Sequence, residues 1–333
     1  MIGSDALDWV MDRTVVPGFS SVGYRLRRLD ATSPDPNRSL RDRNIVITGA
    51  SSGIGEAATK SFAQLGAHVH MVVRDLEKGE DVRARISERT GSDTLYVHRC
   101  DVSSLESVRT FAEALAAEIG DIAALVHNAG VLTKERLESD DGFELTLATH
   151  VLGPMLMTEL LTPLLAEAAS PRVIFVSSGG MYTERADVAD PELKHRSFDG
   201  PGFYAHAKRL QVILAERFDE RLDPLGISVH SMHPGWVDTP GVVDSLPGFH
   251  RITGPILRDP EQGADTIVWL AADDLPASPG QGGKLWMDRR ERPAHRVPWT
   301  RESAEERQRL LDALSHMAHP EFMATTKETA AGA

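Results

Sequence analysis

An α/β domain, a doubly wound parallel sheet with helices on both faces, is the fold class that three observations predict. From residue 44 onward, strand-like apolar runs alternate with helical stretches, and β-α-β alternation implies parallel strands joined by right-handed crossovers. The first run, Asn44-Ile-Val-Ile47, is β-branched after its first residue, as suits a buried strand. Three glycines, Gly49, Gly53 and Gly55, follow at once and lead into a helix. Glycine lets the backbone approach a pyrophosphate, and the helix N-terminus offers free N–H groups to its charge. Strand, glycine turn and helix in that order make a dinucleotide site.

Bulk properties narrow the function classes. The chain has 333 residues, 41% of them hydrophobic, which suits a globular enzyme with a sizeable core. A formal charge of −13, from 36 basic and 49 acidic residues, argues against a general nucleic-acid binder. It leaves room for a local basic patch beside a coenzyme phosphate. Cys100 is the single cysteine, so no intrachain disulfide forms. No apolar run approaches the ~20 residues that span a bilayer, and the first residues lack the basic-then-apolar order of a secretion signal. A cytoplasmic protein is the expectation. The organisation reads as an N-terminal extension over 1–43, a nucleotide-binding domain over 44–290, and a C-terminal extension with a helix over 291–333.

In the extension, 6–11 suits a short helix, 15–29 mixes apolar residues with Tyr24, Arg25, Arg27 and Arg28, and the prolines of 32–37 mark a linker. The segment reads as an arm packed on the domain; peripheral membrane contact through its basic edge is the sharper alternative. The glycine helix covers 56–65 and closes at Gly66. A second strand over 68–73 ends at Arg74, where an arginine accommodates the 2′-phosphate of NADP and an acidic residue would prefer NAD. Asp75 follows, so NAD stays open. His68 and His70 share a strand face without a third ligand, which favours structural histidines over a metal site. A charged helix, 76–89, and a third strand, 94–99, lead to Asp101-Val102. Asp101 either bonds the adenine amino group or caps the next helix, 104–119, through Ser103 and Ser104. The fourth strand, 122–127, ends at Asn128-Ala129-Gly130, whose small residues allow a ligand close.

A long apolar helical stretch over 142–169 is interrupted at Gly153-Pro154. The fifth strand, 172–176, ends at Ser177-Ser178, directed to the same crevice as Gly49. An irregular insert over 181–203 precedes Tyr204-Ala-His-Ala-Lys208, which opens a helix to about Leu222. Strand 227–233, Pro234-Gly235, a loop over 240–259, helix 261–272, a last strand 284–287, a linker 288–298 and a final helix 303–317 complete the chain.

Tyr204 and Lys208, at i and i+4, share a helix face. A free phenol, with pKa near 10, is a poor base at neutral pH, and a nearby cation favours the phenolate. Lowering the Tyr204 pKa by ~3 units takes ~4 kcal/mol; Lys208 is placed to supply part. Ser178 is placed to hold a substrate oxygen while Tyr204 exchanges its proton. Tyr182 is the rival phenol, but Ala186 stands four residues on.

Thr48-Gly-Ala-Ser-Ser-Gly-Ile-Gly55, Asn128-Ala-Gly130, Ser178, Tyr204-x-x-x-Lys208 and Pro234-Gly235 with Thr239 resemble the short-chain dehydrogenase/reductases over residues 44–290. The resemblance implies a single Rossmann domain with a seven-stranded parallel sheet and NAD(P)-dependent redox of an alcohol or ketone. It implies a coenzyme site of Thr48, Gly49, Ser51, Ser52, Gly53, Ile54 and Gly55 with Arg74, Asp101, Val102, Asn128, Ala129 and Gly130. Pro234, Gly235, Val237 and Thr239 would complete it, with Thr239 at the carboxamide, and Lys208 would bind the nicotinamide ribose. Ser177-Ser-Gly-Gly-Met181, Phe198-Asp-Gly200, His233-Pro-Gly-Trp236, Asp238-Thr-Pro-Gly241, Pro247-Gly-Phe249 and Gln262-Gly-Ala-Asp265 resemble more closely the "member twelve" branch of the dehydrogenase/reductases, related to retinol dehydrogenases. In place of the family's asparagine, whose backbone carbonyl helps hold a relay water beside the lysine, stands His150. Its carbonyl keeps that role, its side chain joins the relay, or it is a packing substitution.

The expected function is an NADP-preferring oxidoreductase acting on a bulky apolar alcohol or carbonyl, the substrate size resting on the 181–203 insert and the 240–259 loop. A non-catalytic NADP-binding redox sensor or scaffold is the alternative. Helices 142–169 and 204–222 are candidates to pair subunits into a dimer or tetramer.

Overall fold

A computed structural model describes residues 8–9, 11–28, 39–239, 248, 251, 253–274 and 280–319. The proline-bearing linker at 32–37 and most of the 240–259 loop lie outside the described residues. The elements run α1 (Val15–Phe19), α2 (Ser21–Arg28), β1 (Asn44–Thr48), α3 (Gly53–Gln64), β2 (His68–Val73), α4 (Leu76–Thr90), β3 (Leu95–Arg99), α5 (Leu105–Glu118) and β4 (Ala124–His127). They continue with α6 (Gly153–Ala166), β5 (Arg172–Val176), α7 (Gly200–Leu222), β6 (Ser228–Met232), α8 (Pro260–Ala272), β7 (Leu285–Met287), β8 (Arg290–Arg292) and α9 (Ala304–Ala318).

The sheet order is β3-β2-β1-β4-β5-β6-β7-β8. β1 to β7 are parallel, and β8 returns antiparallel against β7. Central strands β1, β4 and β5 have apolar middles buried on both faces, with polar residues only at their ends, whereas edge strand β3 exposes Tyr96. One face packs α5, α6, α7 and α9 through residues such as Leu115, Leu161, Leu214 and Leu310. The other packs α3, α4 and α8 through Phe62, Val82 and Trp269. The strand order reverses between β1 and β4, successive strands being added outward on either side of them, and their C-terminal ends open the crevice in which ligands of such sheets bind.

Two expectations need correction. The sheet has eight strands, not seven: β8 lies in the stretch read as a linker. Its hairpin turn is Asp288-Arg289, both left-handed at φ 53° and 59°, as a type I′ turn requires, but without the Asn-Gly signature. Buried ion pairs hold this conformation in glycine's stead. Asp288 accepts from Arg258 Nη1 at 2.6 Å and Arg27 Nη1 at 2.5 Å, and Arg289 pairs with Asp265. Nor does Gly153-Pro154 interrupt the long helix. A π-helical turn over Ala148–Leu152 leads directly into α6, placing Pro154 in its first turn.

The N-terminal arm packs on the domain. Asp8 receives Arg27 and Arg292, and the Phe19 carbonyl accepts Trp236 N at 2.8 Å and Arg258 Nε at 3.0 Å. Among the described residues no helix is long and apolar enough to cross a membrane.

Asp288 joins arm, hairpin and sheet, so Asp288→Asn leaves two buried guanidinium groups poorly compensated. We expect it to lower the free energy of unfolding by about 3–5 kcal/mol, measured by denaturant titration. The two arginines hold the Asp288 carboxyl down at about 2, below its ordinary 3.8. Its stabilisation is therefore complete above the unfolded value and lost as pH falls from 3.8 through about 2. A loss under about 1 kcal/mol, the range of an exposed pair, would show that Asp288 does not hold the arm.

Candidate active site

The glycine turn is built by crowding. The Thr48 hydroxyl accepts Asn128 N and Ala129 N, each at 3.0 Å, and Asn128 Nδ2 donates to Thr48 O at 2.9 Å. These bonds draw β1 and β4 together until a Cβ on Gly49, already at φ +68°, would lie 2.8 Å from Ala129 Cα. A Cβ on Gly55 would meet the Gly49 carbonyl at 2.2 Å. Ser52 is the N-cap of α3 but makes no side-chain cap bond. The first-turn N–H groups of Gly53, Ile54 and Gly55 are thus left for an outside acceptor, with Ser51 beside them. A dinucleotide pyrophosphate fits this cradle.

Around it, Arg74 stands exposed at the end of β2, while the Asp75 carboxylate is taken up by capping α4, accepting Lys78 N at 3.1 Å. Asp101 is occupied too: Oδ1 accepts Ser103 N at 2.9 Å and Ser103 Oγ at 2.6 Å, and Ser104 caps α5. Asp101 thus braces the turn before α5, whose cap is Ser104. Val102 is buried beside it. Pro234 and Gly235 follow β6 and are held by Arg258; Val237 bridges to Arg258, and Thr239 follows, half-buried.

Ser178, Tyr204 and Lys208 converge. Ser178 caps a 3-10 turn over Gly179–Thr183, and its hydroxyl hydrogen-bonds Tyr204. α7 starts at Gly200, so Tyr204 lies in its second turn, with Lys208 one turn on. Lys208 Nζ lies 5.4 Å from the Tyr204 ring centroid and donates to Val176 O at 2.7 Å and Gln211 Oε1 at 3.0 Å. Burial pushes this ammonium down to about 7.

The expected lowering of Tyr204 by Lys208 is not what protein groups alone produce. Burial of the phenol dominates and raises its pKa above 10, offset only by the Ser178 bond. A half-neutral lysine is a weak source of positive potential, so the phenol stays protonated.

The His150 ring meets Tyr204 edge-on at 5.4 Å. Its Nε2 is engaged with the backbone of Val131, at 3.0 Å from N and 2.9 Å from O. Burial, then the Lys208 charge, holds His150 well below 6.5, which removes the ring from proton exchange near neutrality. Its carbonyl, by contrast, accepts Gln211 Nε2 at 2.9 Å. A protein group, the Gln211 amide, thus takes the carbonyl that the family resemblance assigns to a relay water.

Three participants lie outside the sequence expectations. Gln211, one turn past Lys208, was legible by helical spacing. Phe19 of the arm was not: a Cβ on Gly179 would meet its ring at 2.6 Å, beside Ser178, and the ring packs on His233 at 4.7 Å. Arg258, which braces the Phe19 and Pro234 carbonyls, gave no signal. Met181, at the start of the insert on which the substrate size rested, is core, packed with Val212 and Leu285, and Tyr182 donates its hydroxyl to Pro293 O. Phe19 supplies apolar surface beside Ser178.

With this geometry in place, the likenesses to known proteins are informative. The short chain dehydrogenase family model matches residues 43–247. The chain is 38% identical over 303 residues to dehydrogenase/reductase SDR family member 12 of Bos taurus, covering 90% of this chain and 94% of that one. It is 34% identical over 237 residues to human retinol dehydrogenase 11, covering 70% and 73%. An uncharacterized protein from Mycobacterium paratuberculosis superposes with TM-score 0.66 at 27% identity, covering 84% of this chain and 94% of that one.

Burying Lys208 makes stability depend on pH in a checkable way. Its folded pKa, about 7, lies below its ordinary 10.5, so the unfolded chain binds more protons between these values and stability rises with pH there. Lys208→Met removes the desolvation cost. We expect its Tm advantage over the parent to be largest below pH 7 and to shrink as pH rises towards 10. A constant difference across that window would show that Lys208 is not desolvated.

Proposed function

We propose, from the premise that this chain belongs to the short-chain dehydrogenase/reductase family, on the branch of dehydrogenase/reductase member 12 and the retinol dehydrogenases, that it interconverts a bulky apolar alcohol and its ketone or aldehyde with NADP(H). The observation that carries this reading is the convergence of Ser178, Tyr204 and Lys208 at the C-terminal edge of the sheet, on the same crevice as the glycine turn.

The α3 N-terminus and the turn from Thr48 to Gly55 would hold the pyrophosphate, and Arg74, with Asp75 committed to its cap, would hold the 2′-phosphate. Val102 and Asn128 to Gly130 would flank the adenosine, and Pro234, Gly235, Val237 and Thr239 the carboxamide. A bound nicotinamide coenzyme supplies or removes the hydride. The chain handles the proton and the substrate oxygen. Ser178 donates a hydrogen bond to that oxygen, and Tyr204, protonated near neutrality, gives its proton in reduction and takes it back in oxidation. Lys208 stabilises the phenolate that reduction leaves behind. The raised phenol favours proton donation, so reduction is the direction these groups support at neutral pH. Phe19 beside Ser178 supports an apolar substrate, as do the names of the retinol dehydrogenase relatives.

Two experiments test this. Tyr204→Phe keeps the ring and loses the proton; we expect kcat on a panel of hydrophobic ketones and aldehydes to fall by about 10²–10⁴-fold, with NADPH binding retained. Unchanged turnover would overturn the acid/base role. Arg74→Ala should weaken NADPH binding by about 10–100-fold, the worth of a charged hydrogen bond, and spare NADH. Equal loss of both coenzymes would contradict the NADP preference.

A further inference from the structure

We propose that Gln211 is a positioning residue of this site: its side-chain amide spans from the Lys208 ammonium to the His150 carbonyl and aims the ammonium at Tyr204. The inference rests on the function proposed above and adds a residue that the sequence motif lacks.

Gln211 is fully buried on α7. Both ends of its amide are committed, Oε1 to Lys208 Nζ at 3.0 Å and Nε2 to His150 O at 2.9 Å. That pairing defines the amide's orientation, because the flipped form would set an NH2 against an ammonium and a C=O against a carbonyl. The His150 carbonyl is open to this bond for a reason written in the chain. In α-helical register its partner is the N–H of residue 154, and Pro154 has none. The π turn over Ala148–Leu152 and the proline thus present a carbonyl to α7, and a glutamine one turn past the lysine is long enough to bridge to it.

On the other side, Val176 O at the end of β5 takes a second Lys208 N–H at 2.7 Å. An ammonium has three donors; fixing two by α7 and β5 fixes the direction of the third. The titratable groups that face Lys208 are Tyr204, 5.4 Å from Nζ to ring centroid, and His150. His150 is held neutral, and the neighbouring Arg209 is turned away towards Glu302 and His295. Gln211 is therefore the side chain through which Lys208 can be retuned.

The test reads Lys208 directly. In [ε-13C]lysine-labelled protein, its signal is assigned by disappearance in Lys208→Arg and titrated without coenzyme or substrate. The parent is expected to titrate near 7. Gln211→Glu places a carboxylate at the acceptor position and should raise the midpoint by about one to three pH units. Gln211→Leu removes an acceptor from the charged form and should lower it. In alcohol oxidation the high-pH limb of kcat should move the same way in each variant, and Gln211→Leu should lose about tenfold to a hundredfold in kcat through misplacement of the ammonium. Midpoints that coincide with the parent in both folded variants, or that move in the same direction, would overturn the proposal. Because the titration needs no turnover, its failure is separate from failure of the redox reading, which an inactive parent with normally shifting midpoints would reveal.

Discussion

A lysine ammonium with almost no contact with solvent sets the terms for the structure around it. Lys208 is only 3% exposed, and an ammonium removed from water must be hydrogen-bonded or give up its proton. Here it does some of each. A β5 carbonyl and the Gln211 amide satisfy two of its donors, and burial still brings its pKa to neutrality. The π turn, Pro154, His150 and Gln211 can be read as the scaffolding that makes this burial tolerable. The Ser177 hydroxyl, bonded to the Lys208 carbonyl at 2.8 Å, anchors the same turn of α7 to β5. The strain of the desolvated cation is what makes it responsive: any negative charge formed on Tyr204 would be answered by a lysine ready to take up full charge.

A second, separate constraint closes the other side. The Asp288 carboxylate lies between Arg27 of the arm and Arg258 of the core. These three charges fix the backbone of Gly18 and Phe19, which accept from the two guanidinium groups. Phe19 is thereby pressed onto Gly179 and His233, next to Ser178. An arm far away in sequence has become part of the wall of the site, and the left-handed hairpin at Asp288-Arg289 exists because those charges hold it.

The doubly wound sheet, the glycine turn and the serine–tyrosine–lysine set were legible in the chain because their signals are local. The apolar run of β1, three glycines within seven residues, and an i, i+4 pair each report their own geometry. β8 was not legible, since its turn lacks glycine and draws its conformation from arginines some 30 and 260 residues away in the chain. Phe19 was hidden for the same reason. The raised Tyr204 phenol was not legible, because sequence places a cation near a phenol but cannot show that both are desolvated. Met181 had the right chemistry for a substrate wall but the wrong neighbours, and went to the core. Gln211 falls between these cases, at legible spacing from Lys208 but with a partner, the His150 carbonyl, that only the tertiary fold brings within reach.

The most direct measurement of the central claim is a crystal structure of the protein with NADPH bound. The account predicts the pyrophosphate within hydrogen-bonding distance of the first-turn amides of α3, Arg74 against the 2′-phosphate, and the nicotinamide facing the Ser178 and Tyr204 hydroxyls. A coenzyme bound elsewhere, or a nicotinamide turned away from Tyr204, would contradict it.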